Sequence, residues 1–132
     1  MDIKKKRLEF LEDTIQYYSE NVERRCTLKG RCTYSPVNVG KQDVSEGCAI
    51  GRHMTPANAV KADLLKSSYE GAVSAQFIAT DAPELLPNDM LKLGGNFLRA
   101  AQGLHDDDRY WFLGGLTDTG KKQYKWIVTL YC

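Results

Sequence analysis

The densest group of reactive side chains lies in Glu46-Gly47-Cys48-Ala49-Ile50-Gly51-Arg52-His53. A thiol flanked by glycines, with a guanidinium and an imidazole a few residues on, holds what lowers a cysteine pKa and opens it to attack: a cation for the thiolate and a base for the proton. Cys48 is therefore a candidate nucleophile, with His53 or the more distant His105 as its base. The competing reading is a small core residue, because free cysteine is among the most buried residue types and Ala49 and Ile50 follow directly. The second reading carries more weight.

The same stretch offers Cys26, Cys32, Cys48 and His53, ligand types that zinc prefers. Their spacing contains no C-x-x-C knuckle, so no metal and no cofactor is expected. A third possibility is Leu104-His105-Asp106-Asp107-Asp108. Phosphohydrolases of the HD class hold a metal with a separate His, a His-Asp pair and a distant Asp. Here the set would be His53, His105, Asp106 and Asp118. Asp118 follows Asp106 closely, however, and sits where the first turn of a helix expects an acid. The simpler account has His105 ending a helix and the aspartates solvating a turn. Cys48, His105 and Asp106 remain the catalytic candidates.

A binding surface is the alternative to a catalytic one. From Lys29 to Lys66 there are six Lys or Arg against three Asp or Glu, with Tyr34 among them and Tyr69 and Glu70 just beyond. Cationic forks such as Arg52 next to aromatic faces suit a phosphorylated, base-containing ligand or an RNA end. Charges scattered over a solvated surface would read the same way.

These groups must be positioned by a small, mostly helical frame. Leu8, Leu11, Ile15, Tyr18 and Val22 form one stripe of a helix over 3–24, with Lys5 to Arg7 on its solvated first turns. Glycines and a proline punctuate the chain from 24 to 54, a loop-rich insert with room for a short hairpin. Thr55-Pro56 opens a shorter helix near 56–66. Val73, Ala75, Phe77 and Ala79 alternate, which predicts an extended stretch over 72–80. Met90, Leu93, Phe97, Ala101 and Leu104 predict a helix over 88–104, in which Gly94-Gly95 marks either a close helix crossing or a break. Tyr110-Trp111-Phe112-Leu113 should anchor the core, and Thr117-Asp118 opens a last helix over 118–130. The fold class is mainly α, with α+β left open: one domain, 1–132, of three to four helices.

Composition agrees. A chain of 132 residues is too short for two full domains, and 42% hydrophobic content with 27% charged residues suits neither a disordered chain nor a membrane span. The formal net charge of +1 provides no global field toward nucleic acid or anionic lipid. Acids at Glu9, Glu12 and Asp13 stand where an export signal would be apolar, so reduced cysteines and a cytoplasmic location are expected.

Cys32-Thr33-Tyr34, Gly47-Cys48-Ala49-Ile50-Gly51-Arg52, Tyr69-Glu70-Gly71-Ala72-Val73, Leu104-His105-Asp106 and Trp111 occur in that order. This order resembles a group of small uncharacterised proteins encoded by bacteriophage and bacterial genomes, with C-x-Y, C-A-[VI]-G, E-G-x-V and L-Q-x-x-H-D motifs. The resemblance implies an accessory protein of phage type inside a bacterial cell, and by association one that counters host defence. Together with the near-neutral charge, it favours a non-enzymatic binding protein acting on a host protein or a small phosphorylated nucleotide signal. Tyr34, Arg52, Tyr69, Glu70 and His105 would lie near its site. A hydrolase using Cys48 and His105, or a metal held by His105 and Asp106, is the alternative. No membrane partner is expected, nucleic acid is disfavoured, and self-association is left open. Elemental analysis of the purified protein should find no stoichiometric zinc. One zinc per chain, lost together with folding in Cys32→Ser or Cys48→Ser, would reverse that expectation.

Overall fold

Asp2 starts the first helix by accepting hydrogen bonds from the Lys4 and Lys5 amides, two of the donors that a helix N-terminus leaves unpaired. In the computed structural model, which describes residues 2–25, 27–28, 31–32, 34–35, 48–65 and 74–132, this helix is α1, Ile3–Glu20. It buries Leu11, Thr14 and Tyr18 and turns Glu9, Glu12, Asp13, Gln16 and Glu20 to solvent. The helix stops short of the predicted residue 24 because Asn21 is extended, and Val22–Arg24 form a single 3-10 turn. Arg7, expected on a solvated turn, instead bridges distant elements: Nε donates to the Leu93 carbonyl at 2.8 Å and Nη1 to the Tyr131 carbonyl at 3.2 Å.

The insert contributes a short antiparallel pair, β1 (Thr27–Leu28) with β2 (Arg31–Cys32), with Thr27 opposite Cys32. Thr55 then caps α2, Pro56–Leu64, by accepting the Asn58 amide, with Pro56 at the first helical position. The extended stretch predicted over 72–80 is corrected. From residue 74 on it is helical, α3, Ala75–Asp81, started by the Ser74 hydroxyl accepting the Phe77 amide. Ala75 and Ile78, three residues apart, face the core, and the period-two alternation of Ala75, Phe77 and Ala79 is incidental.

The glycine pair inside the predicted third helix does both things considered for it. Gly94 has φ +92°, a conformation that side chains with a Cβ rarely adopt, and it separates α4 (Asn88–Leu91) from α5 (Gly95–Asp106). Gly95 lets α3 approach, since a Cβ there would lie 3.3 Å from the Gln76 Cα. After α5, β3 (Trp111–Phe112) and β4 (Gly115–Leu116) form a tight hairpin, Trp111 opposite Leu116 and Phe112 opposite Gly115. The aromatic run anchors the core through Trp111, whose indole N–H donates to the Leu104 carbonyl at 2.8 Å, with Tyr110 partly buried against the same core. Phe112 and Leu113 are exposed at the tip. Thr117 caps the last helix, α6, Asp118–Tyr131, through the Gly120 amide.

The described elements share one core, with Leu11, Tyr18, Ile78, Phe97, Leu98, Leu104 and Ile127 at its centre, and the chain is a compact, mostly helical single domain. No helix among the described residues is long and apolar enough to cross a membrane. Leu11→Ala and Phe97→Ala should each cost about 2–5 kcal/mol in denaturant unfolding, the range for emptying a buried large side chain. Unchanged midpoints for both would mean that the core lies elsewhere.

Candidate functional site

Cys48 begins a turn that continues into the 3-10 segment Gly51–His53. It is fully buried, and its sulfur accepts the Gly51 amide at 3.3 Å. The tightness of the turn explains both glycine and thiol. The Tyr34 backbone rests on Gly51 so closely that a Cβ there would collide with the Tyr34 carbonyl. The candidate nucleophile is thus a buried turn residue.

Tyr34 leads from this turn to α5. Its side chain is buried, and its hydroxyl accepts a hydrogen bond from Gln102 Nε2 at 2.7 Å, while Gln102 Oε1 accepts the Ala75 amide at 2.9 Å. The Tyr34 and Ser35 amides donate to the two Asp63 carboxylate oxygens at 2.8 and 2.9 Å. Tyr34, expected at a ligand surface, is a strut joining the insert, α2, α3 and α5. One turn further along α5, His105 is also fully buried. Its Nδ1 lies 2.6 Å from Asp106 Oδ1 and its ring meets Tyr18 edge-on at 4.8 Å. A histidine oriented by a carboxylate is the pairing a general base would use. Here the ring lies in the core against Tyr18.

Arg25 explains how α5 ends there. Its Nε donates to the His105 carbonyl at 2.7 Å, Nη2 to the Asp106 carbonyl at 2.9 Å and Nη1 to Asp108 Oδ1 at 2.9 Å. One guanidinium therefore caps two terminal carbonyls and complements the negative end of the helix. Asp118 is exposed in the first turn of α6, as its helix-start reading anticipates. Among the described residues no three His, Cys, Asp or Glu side chains gather as metal ligands.

Arg52 and His53 turn toward α1. The Arg52 guanidinium pairs with Asp13 and lies 4.3 Å from the Tyr17 ring centroid. Arg24 lies 4.6 Å from the same centroid, donates to the Tyr17 carbonyl and pairs with Glu20. Each cation near Tyr17 is thus answered by a carboxylate of α1, and the cluster fastens the Cys48 turn to that helix. His53 packs against Phe10 at 5.3 Å. Burial, then the neighbouring Arg52 charge, push its pKa down to about 4 against the opposing pull of Asp13. Arg52 Nε and His53 Nε2 meet no partner among the described residues.

The turn at Cys48, Tyr34 and the Gln102-to-Asp106 segment do come together, as buried packing among the described residues. Tyr69 and Glu70 lie outside the described residues, as do Cys26 and the Cys32 side chain. Reading along the chain misses Arg25, Arg7 and Gln102, whose partners are distant in sequence. No family model matches the chain, and neither curated proteins nor solved structures match it.

The His53 environment sets a pH dependence. An unfolded His53 titrates near 6.5 and the folded one near 4, so its stabilising contribution is complete above 6.5 and is lost as pH falls toward 4. At about 1.4 kcal/mol per pH unit, the loss reaches about 3 kcal/mol by pH 4. Unfolding free energies measured across this window should fall with acidification in the wild type and less steeply in His53→Gln. Equal slopes would show that His53 does not resist protonation.

Proposed function

We propose that the protein is a non-enzymatic binding protein that engages another protein through its outer surface. The observation that carries this reading is the contrast between what the interior and the exterior of the domain hold. Cys48 and His105, the groups suited to catalysis, are fully buried, whereas Phe112, Leu113, Trp126 and Leu130 stand exposed. Catalysis needs reactive atoms within reach of a substrate, and large apolar side chains held in water favour contact with a partner. A small phosphorylated ligand at Arg52 is less well supported, because that guanidinium already pairs with Asp13 and lies against the Tyr17 ring. The resemblance to phage-type proteins suggests a bacterial host protein as the partner.

Immobilised protein exposed to bacterial lysate, followed by cross-linking and mass spectrometry, tests the reading. A protein partner in fixed ratio should be retained equally by the wild type and by Cys48→Ser of matched melting temperature. Nucleotides incubated with the protein should be neither converted nor retained. A nucleotide converted by the wild type and spared by Cys48→Ser, with no protein retained, would replace this reading with an enzyme.

A further inference from the structure

The exterior of α6 is divided unevenly. Gly120 and Ile127 are buried, with Tyr124, Val128 and Tyr131 partly buried beside them, so this side of the helix belongs to the core. Trp126 is nonetheless 55% exposed and Leu130 53% exposed. They are four residues apart, which stacks them as neighbours along one side of a helix, and Lys122 stands four residues before Trp126. Lys121, Lys122 and Lys125 are all exposed, and the only carboxylate of α6 is Asp118 at its start. The near-zero net charge of the whole chain hides this local excess, since α1 turns Glu9, Glu12, Asp13 and Glu20 outward.

Resting on the protein-binding reading, we propose that the outer face of α6 docks an amphipathic helix of a partner protein whose apolar side chains are flanked by carboxylates. Trp126 and Leu130 pack between the apolar side chains of that helix, and Lys122, one turn before Trp126, and the adjacent Lys125 meet its carboxylates. A buried tryptophan anchor ringed by charges is the arrangement that concentrates binding energy in protein interfaces, while the lysines raise the encounter rate and select an acidic surface. Nucleic acid is a poorer occupant, because Leu130 offers no stacking face and the three cations lack guanidinium forks. A lipid surface is poorer too, because a helix lying in a membrane inserts a broad apolar stripe, and that of α6 is already spent on the core.

Trp126 reports on its own surroundings, since the other tryptophan, Trp111, is buried. The probe is a synthetic amphipathic helix with leucines one turn apart flanked by glutamates, titrated against the full chain at low salt. A saturable blue shift of the emission is expected. The doubly substituted Lys122→Glu, Lys125→Glu protein, with unchanged melting temperature, should bind about tenfold more weakly or worse, and a peptide with lysine in place of glutamate should give no shift. No shift with the acidic peptide, or equal affinity in the substituted protein, overturns the proposal. A shift produced instead by oligothymidine or by phosphatidylglycerol vesicles overturns it as well, as does self-association of the wild type that the same substitutions abolish. The lysate capture separates the two levels. A partner retained equally by wild type and substituted protein overturns this surface and leaves the binding reading standing, whereas a wild type that retains no protein overturns the reading itself.

Discussion

Gln102 and His105 sit one turn apart on the buried side of α5, where water cannot satisfy them. A buried amide or imidazole left without partners costs more than the same group gains when paired, so their presence obliges other elements to arrive in register. Gln102 draws in the Tyr34 hydroxyl and the first amide of α3, which the start of that helix leaves unpaired within it. Tyr34 can reach that place only because its backbone lies against Gly51, and Gly51 is held by the sulfur of Cys48. His105 draws on Asp106, and the carbonyls around it draw on Arg25 and, one residue earlier, on the Trp111 indole. The insert, α3, the turn after α1 and the β3–β4 hairpin are thus all placed by the polar demands of one helix.

Apolar burial supplies more of the stabilisation than this network does. Burying a side chain such as Phe97 or Leu11 contributes roughly 1.5–3 kcal/mol, against about 1 kcal/mol net for a hydrogen bond. The polar groups act mainly on specificity, since an apolar core alone would tolerate many arrangements of helices this short. Arg7 and Arg25 do similar work at the surface of the core. Each uses several donors of one rigid fork to tie carbonyls that are remote in sequence.

Where structure depends on neighbours in sequence, it was legible before any coordinates. The stripe of α1, the Thr55-Pro56 start of α2 and the Thr117 cap of α6 are local signals, and each is found where expected. The helix at 75–81 was misread because a run of alanines alternating with larger residues satisfies a period of two as readily as one of 3.6, and only the Ser74 cap separates them. The exposure of Phe112 and Leu113 was also hidden, because an aromatic run does not tell which members fall at a hairpin tip. For the site, residue type was legible and accessibility was not. The composition of the Cys48 turn is what an activated thiol requires, but whether it opens outward depends on Tyr34 and Gln102, and no local pattern connects them.

That dependence also bears on where function can reside. A turn whose glycine is pinned under a backbone carbonyl and whose arginine is fastened to α1 cannot open without breaking Arg52 from Asp13 and stripping Tyr34 from Gln102. The second loss leaves the buried Gln102 amide and Tyr34 hydroxyl without each other, so opening would amount to local unfolding rather than a gating motion. The exterior of α6 carries no such obligation. Its lysines and Trp126 can be changed without disturbing the polar bonds that hold α5, Tyr34 and the Cys48 turn, which frees that face to be shaped by a partner while the interior stays fixed. A domain of this size uses its reactive residue types as internal fasteners, and its own core leaves the Trp126–Leu130 side of α6 uncovered.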